Sequence, residues 1–490
     1  MYNLRIYYNK IMSTPITVAY GDGIGPEIME AVLLIIKEAQ VDIAIETIEI
    51  GSNLYNKEWP SGIAPSSWES INRTKILLKS PIMTPQGKGH KSLNVTLRKM
   101  LGLYVNVRPC ISYFPIIETK FPNLNIVIIR ENEEDTYAGI EHRLTHDSFQ
   151  CIKISTKSAS EKICNYAFEY AKNNNRKKVS CLAKDNIMKM TDGIFHQSFD
   201  KVAKRYSDIT SDFYIVDIGM ASVANIPEHF DVVVTTNLYG DILSDIVALL
   251  SGSIGLAGSA NIGDKYAMFE AVHGSAPNIA GKNIANPSGL LNAAIQMLIH
   301  LKKFNKAEII YNALLKTLED GIHTADIYNP KTSITKASTK EFAEAIINNL
   351  GTVPTQLQKL SLPKELSQAT HTTQNCYTTQ KEKKTLIGVD ITIEYNQEVI
   401  KDIAKSLGSL NNALELVSIY SKGLELWPNL PYHIAYTDQI SCRFYVNDKK
   451  KNISNNDINN LLINITEKEI NILKTENLYF YDNCPGFFIL

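Results

Sequence analysis

Two carboxylates, Asp241 and Asp245, stand four residues apart in the stretch NLYGDILSD at 237–245. The run DVVVTTN at 231–237 that leads into them is apolar and β-branched, and it predicts a buried strand ending at Asn237. The apolar residues that follow (Ile242, Leu243, Ile246, Val247, Leu249, Leu250) fit a helix. Residues four apart on a helix share one face, so both carboxylates would project together near its first turn. That is the carboxyl end of a strand, where open α/β sheets place their ligands. Hard oxygen donors suit Mg2+ or Mn2+ rather than zinc. The alternative is a solvated helix start, where the dipole alone favours aspartate.

Positive charge is gathered elsewhere. The loop TPQGKGHKSLNVTLRK, 84–99, is basic, carries glycine and opens a helix at about Leu93. A loop of that kind at a helix start is an anion site by geometry and dipole. Ser92, Asn94 and Arg98 could converge there on a carboxylate or phosphate; the alternative is a surface turn with an N-cap serine. Arg108 in YVNVRP and Arg130 closing LNIVIIR sit at strand-like positions. A desolvated guanidinium needs partnered acceptors, so an arginine that closes a buried strand is rarely incidental. Three arginines aimed at one cleft would imply a small polyanion such as a tricarboxylate.

The elements that must position these residues alternate between strand and helix through 15–350, which predicts α/β architecture. The first strand is PITVAY at 15–20, followed by the turn GDGIGPE at 21–27 and a helix whose first turn holds Pro26. The turn misses the third-glycine position of GxGxxG, so it is not a Rossmann fingerprint. KKVSCLAK is a strand with Lys184 at its junction to a helix, and DFYIVD at 212–217 is a strand with Asp217 at its carboxyl end. Residues 141–156 suggest a small protruding strand pair, and 351–384 reads as a polar linker. Beyond it, strand, helix, strand, strand, helix, strand over 385–490 match an α+β ferredoxin-like layer in which nothing looks catalytic. The lysine run at 449–451 fits a solvated hairpin.

Bulk properties exclude several classes. The chain has 490 residues, 44% of them hydrophobic, and a net charge of −1, so nothing argues for nucleic acid or a membrane surface as partner. Its seven cysteines form no CxxC pair and no disulfide framework, which suggests a reducing compartment. The opening MYNLRIYYNKIM lacks an apolar signal region. It reads as an extension, 1–11, ahead of a start at Met12, in a protein expected to be cytoplasmic.

Six stretches, GDGIGPE, SLNVTLRK, RENEEDTYAGIEH, DNIMKM, NLYGDILSD and AVHGSAPNIAGKNIANP, together resemble the β-decarboxylating dehydrogenase family. That family includes isocitrate, 3-isopropylmalate, homoisocitrate and tartrate dehydrogenases. SLNVTLRK resembles the isocitrate branch, and GVDITIE and SCRFY of the C-terminal part resemble its long-chain, Thermus-like bacterial type. The resemblance implies an isopropylmalate dehydrogenase-like, non-Rossmann fold. Its large cofactor-binding domain would be 12–103 with 252–350, and its small domain 104–251, with a dimer clasp at about 135–157. It implies that Ser92 and Asn94 meet the carboxylate that distinguishes isocitrate and that Arg98, Arg108 and Arg130 hold the substrate's carboxylates. Asp241 and Asp245, with Asp217 from the partner subunit, would surround one Mg2+ or Mn2+. Tyr137 and the partner subunit's Lys184 would handle protons, so that a homodimer is part of catalysis. The residue types fit such chemistry: a lysine can take a hydroxyl proton, and a tyrosine can protonate the carbon left by carbon dioxide loss.

By the same resemblance HGSAPNIAG, 273–281, is the cofactor loop: His273, Gly274, Ser275, Ala276, Pro277, Asn278 and Ile279, with Asn286 downstream and Thr84 near the nicotinamide ribose. NAD enzymes of the family usually carry Asp at the position of Asn278, and many NADP enzymes carry Lys-Tyr at the positions of Asn278 and Ile279. This chain has neither. NADP is the expectation because the long-chain relatives use it, with Lys282 or Lys336 as candidate cations for the 2′-phosphate and NAD left open. Two other readings stay open: homoisocitrate or a similar substrate, against which Ser92 and Asn94 argue, and a non-catalytic regulatory subunit. The latter should have lost some of Tyr137, Lys184 and the three aspartates, and all are present.

Overall fold

The computed structural model describes residues 13–55, 59, 62–83, 92–362, 382–410, 413–429, 437–446 and 453–488. Thr84, the extension at 1–11, most of the linker and the lysine run at 449–451 lie outside these residues. The chain divides into two compact units, one of residues 1–138 and 153–372, the other of 139–152 and 373–490.

Strands and helices of the first unit alternate as the apolar periodicity predicts. The first five strands are β1 (Thr14–Ala19), β2 (Ile43–Ile48), β3 (Ile76–Lys79), β4 (Val105–Ile111) and β5 (Asn125–Glu131). A short pair, β6 (Glu141–Arg143) and β7 (Phe149–Cys151), belongs to the second unit. The sheet then continues with β8 (Lys178–Ala183), β9 (Thr210–Ile215), β10 (Val232–Thr235), β11 (Gly258–Ile262) and β12 (Ala267–Ala271). The early helices are α1 (Gly25–Glu38), α2 (Ser52–Tyr55), α3 (Pro65–Thr74), α4 (Leu93–Met100) and α5 (Lys157–Asn173). Later come α6 (Thr191–Ala203), α7 (Val216–Asn225), α8 (Asn237–Leu250), α9 (Ser288–His300), α10 (Phe304–Glu319) and α11 (Thr339–Asn348).

The ten strands form one sheet in the order β2-β1-β3-β12-β11-β4-β5-β10-β8-β9. Pairing is parallel at both ends, but β11 runs antiparallel to β12 and β4, and β4 antiparallel to β5. That central reversal departs from a doubly wound dinucleotide fold, in keeping with the absent third glycine. β3, β10 and β12 are buried along their whole length, as strands covered on both faces must be. Strands from 12–103 and 252–350 make one end of the sheet and those from 104–251 the other, meeting where β11 pairs with β4. Two short strands, β13 (Ile322–His323) and β14 (Thr335–Lys336), pair in parallel as a separate small sheet.

The second unit holds β15 (Lys384–Glu394), α12 (Ile400–Gly408), β16 (Leu414–Ser421), β17 (Leu424–Trp427), β18 (Gln439–Val446), α13 (Asn455–Thr466), β19 (Ile472–Tyr481) and β20 (Cys484–Pro485). Its sheet order is β17-β16-β18-β15-β19-β20, all antiparallel. The inner four strands, β16-β18-β15-β19, have the ferredoxin-like order that the pattern predicts. The sequence reading passed over β17, which Lys422 and Gly423, both at positive φ, turn back onto β16. Val389, Ile391, Leu407, Cys442, Phe444 and Leu461 make this unit's own core. Asp390 and Arg443 form a buried two-bond pair, both contacts at 2.8 Å, and the Tyr420 hydroxyl donates to the same carboxylate.

The arm that carries β6 and β7 groups with these C-terminal residues, and Asp438 bonds to it. The Asp438 carboxylate accepts hydrogen bonds from the hydroxyls of Thr145 and Ser148 and from the Asp147 amide. Among the described residues no helix is long and apolar enough to cross a membrane.

Candidate active site

The end of β10 delivers the chain into α8, and the first turn of α8 organises the site. Arg130, on the adjacent β5, is 1% exposed and donates through Nε and one terminal nitrogen to the Asn237 side chain, at 3.1 and 2.8 Å. Its other terminal nitrogen pairs with Asp241. Gly240 makes room for that arginine, because a Cβ at 240 would stand 2.6 Å from Arg130 Cγ. Arg108, on β4, donates to Asn106 at 2.5 Å and to Ser244 Oγ at 2.6 Å. It also lies 3.4 Å from Asp241 and 3.5 Å from Asp245. The Tyr137 hydroxyl donates to the second Asp241 oxygen at 2.6 Å, and its ring lies under the Arg130 guanidinium. Asp241 and Asp245 thus share the face that their spacing predicts.

Arg98 completes the set from α4. One of its terminal nitrogens lies 3.0 Å from Glu270 on β12, while Lys79, at the end of β3 and fully buried, holds the other Glu270 oxygen at 2.7 Å. Together with Ser92, Asn94, Arg108, Arg130, Tyr137, Asp241 and His273, these residues line a cavity of about 240 Å³. Arg98 Nε and Asn94 Oδ1 are buried there without a hydrogen-bond partner among the described residues. A donor and an acceptor left open in a polar cavity are what an oxygen-rich ligand would satisfy. Ser92 holds the N-cap position of α4, but its side chain does not cap the helix.

Charge is unevenly supported across the cavity. Burial opposes ionisation of Asp241, yet Arg130, Arg108 and the Tyr137 hydroxyl outweigh it and hold the carboxyl below its ordinary range. Asp245 moves the other way, raised by burial and, beyond the pull of Arg108, by the nearby Asp241 charge. Burial, then repulsion from Arg108 and Arg98, lowers Arg130 to about 9. Tyr137 is raised, chiefly by burial, so its hydroxyl keeps its proton at neutral pH.

Lys184 and Asp217 form a separate pair. Asp217, expected to be the last residue of a strand over 212–217, lies two residues past the end of β9, in the first turn of α7, and its carboxylate meets Lys184 Nζ at 2.9 Å. That lysine lowers the Asp217 pKa through its hydrogen bond. No hydrogen bond or ion pair among the described residues joins this pair to Tyr137, Asp241 or Asp245. No three His, Cys, Asp or Glu side chains converge as a metal site within the described residues of one chain.

The glycine-rich turn before α1 supports the loop at 273–279. Gly23 has φ +62°, a Cβ there would come 2.0 Å from the Ser275 carbonyl oxygen, and the Ile24 amide donates to that oxygen at 2.9 Å. Gly274, Pro277 and Asn278 are exposed, Ala276 takes a left-handed conformation, and Pro277–Ile279 is a short 3-10 turn. His273 is lowered by burial, and its Nε2 has no partner among the described residues. Asn286 is committed within the protein, donating to Asp326 at 3.0 Å and accepting from the Ser288 amide at 2.9 Å. Lys336 is exposed, with its ammonium 5.7 Å from the Tyr328 ring centre.

Lys79 and Glu270 escaped the sequence reading. Each is the one charge in a strand otherwise apolar, ILLK and AMFEA, and that was the available signal. Two opposite charges in separate buried strands call for each other.

A sheet reversed at its centre, carrying a polyanion pocket beside paired carboxylates, defines an α/β enzyme of small acidic metabolites. The sequence model of the isocitrate/isopropylmalate dehydrogenase family matches residues 15–346, and that of the bacterial isocitrate dehydrogenase C-terminal domain matches 384–489. The chain belongs to the isocitrate/isopropylmalate dehydrogenase family. It is 54% identical to the NADP isocitrate dehydrogenase of Rickettsia bellii, over 97% of this chain and 98% of that one. It is 39% identical to the Thermus thermophilus NADP isocitrate dehydrogenase, over 96% and 94%. The crystal structure of the TT0538 protein from Thermus thermophilus superposes with a TM-score of 0.89 at 38% identity, covering 97% of this chain and 95% of that one.

Proposed function

We infer that this chain oxidises and decarboxylates isocitrate to 2-oxoglutarate and carbon dioxide, with reduction of NADP. The observation that carries the reading is the cavity in which Arg98, Arg108 and Arg130 converge beside Asn94, Tyr137 and Asp241. Relatives matched over nearly their whole length are NADP isocitrate dehydrogenases, which supports both substrate and cofactor.

In this reading the three guanidiniums bind the substrate carboxylates, and Ser92 and Asn94 receive the one specific to isocitrate. The partner subunit's Lys184 takes the hydroxyl proton, and the Tyr137 hydroxyl, kept protonated by burial, returns a proton to the carbon after decarboxylation. Asp241 and Asp245 would hold a divalent cation, with Asp217 of the partner subunit. Their fit rests on hard oxygen donors close enough for one carboxylate to raise the pKa of the other. Bound there, Mg2+ or Mn2+ supplies Lewis-acid polarisation of the substrate's oxygens. The separation of the Lys184–Asp217 pair from the Tyr137–Asp241 cluster supports a homodimer with shared sites. We keep the division into a large domain (12–103 with 252–350) and a small one (104–251) as part of this proposal, and the cytoplasm as the compartment. The loop at 273–279 would carry the adenosine end of NADP, with Lys282 or Lys336 meeting its 2′-phosphate.

The test is the initial rate of nicotinamide reduction with isocitrate and Mg2+, comparing kcat/KM for NADP and NAD. NADP preference is expected, and Lys282→Ala or Lys336→Ala should raise the KM for NADP about tenfold while leaving NAD turnover unchanged, since one charge-assisted contact is worth about 1.5 kcal/mol. No turnover with either nucleotide would overturn the assignment.

A further inference from the structure

Lys153 lies between two carboxylates that bind to the backbone beside the proposed catalytic groups. Its ammonium is 2.6 Å from Asp192 and 3.3 Å from Asp135, and those two side chains are 0% and 3% exposed. The other oxygen of Asp192 accepts from the Lys184 amide at 2.7 Å, which fixes the backbone that carries Lys184 Nζ. Asp135 accepts from the Thr136 amide at 2.8 Å, next to Tyr137, and from the Leu238 amide at 2.9 Å, in the first turn of α8. Three segments that carry Tyr137, Lys184 and Asp241 are therefore tied, through two buried carboxylates, to one cation whose side chain is 13% exposed. The Lys153 ammonium also lies 4.9 Å from the ring centre of Tyr239, on the same helix as Asp241.

The backbone at Asp135 adds an independent sign. Asp135 has φ +67°, a left-handed conformation that a non-glycine residue keeps only where its surroundings over-determine it. Here they do: its amide donates to the Ile154 carbonyl, its carboxylate accepts from two other amides, and Lys153 neutralises it. The strained residue stands two positions before Tyr137, so relaxation at 135 would swing the Tyr137 hydroxyl away from Asp241.

We propose that Lys153, through Asp135 and Asp192, is a positioning residue that holds Tyr137 in place for proton transfer in one active site of the dimer and Lys184 in place for the other. This rests on the reading of Tyr137 and Lys184 given above. Lys153 touches neither substrate nor cofactor in this scheme, and the arginines that bind the carboxylates have other partners. The prediction is a loss in kcat with little change in KM for isocitrate.

The experiment is a double-mutant cycle by steady-state kinetics on the full-length enzyme, with active-site content measured by isocitrate titration. Lys153→Met should lower kcat per active site about 100-fold, the usual cost of a displacement near 1 Å at a reacting group. Lys153→Arg, which restores the cation, should recover most of that loss. In a Tyr137→Phe or Lys184→Met background, Lys153→Met should cost less than about fivefold, because residues that act together are not additive. The same fold-loss in every background would overturn the proposal, as would unchanged kcat. Should Lys153→Met fail to fold, Lys153→Met/Asp192→Asn keeps the cluster's net charge at −1 and carries the same prediction. Absence of turnover in the unmodified enzyme would instead fell the isocitrate assignment, and the positioning role with it.

Discussion

Buried charges in this site are held by other buried charges. Glu270 bridges Lys79 and Arg98 and also accepts from Asn261 at 2.9 Å, and although burial works against it, the two cations drive its pKa far below the usual carboxylate range. Arg98 therefore presents its open Nε from a fixed anchor. Glu270→Gln would leave two cations buried without their anion, and removal of one partner from such a cluster costs about 3–5 kcal/mol. Denaturant unfolding should register that loss, and KM for isocitrate should rise as Arg98 loses its anchor. At this scale the sequence disclosed the groups that would face a ligand, because arginine, tyrosine and aspartate in strand ends and first turns are chemically conspicuous. It did not disclose Lys79, Glu270, Lys153, Asp135 or Asp192, whose importance lies in partners distant along the chain. The internal partners of Asn286, Asp326 and the Ser288 amide, were likewise not disclosed by the sequence.

Helix α8 is the element on which these contacts depend. Its first turn gives Arg130 both the carbonyl and the side chain of Asn237, and its second gives the Asp241 carboxylate. Close approach of β5 is possible only because residue 240 has no side chain. Gly240→Ala would press a methyl group into the Arg130 stem, and overpacking of this kind costs about 1–3 kcal/mol. The helix should persist by circular dichroism, while kcat/KM for isocitrate falls at least roughly tenfold as the guanidinium is displaced. Strand and helix identities were legible because apolar periodicity is a local signal. The rejection of a dinucleotide fingerprint at GDGIGPE was legible too, from the position of one proline. What that turn does was not, since the Ser275 carbonyl against Gly23 comes from about 250 residues away along the chain.

In the molecule as a whole, the second unit has its own core, its own ferredoxin-like sheet and a buried Asp390–Arg443 pair. It also claims residues 139–152, which follow Tyr137 by only two positions. The boundary was illegible in the sequence because 141–156 lacks a strong period, and the residues the arm groups with lie far along the chain. Asp438→Ala should free the arm. Amide exchange across 141–151 should quicken in that variant, while exchange in β15 and β18 stays as slow as before.

The Thr145–Asp438 contact joins residues 293 positions apart. A ribosome adds about 5–20 residues per second, so the arm emerges roughly 15–60 s before the carboxylate that receives it exists. During synthesis the segment beside Tyr137 must wait for Asp438 before it can be attached. A nascent protein therefore acquires its arm attachment only once residue 438 has been made, 293 residues after Thr145.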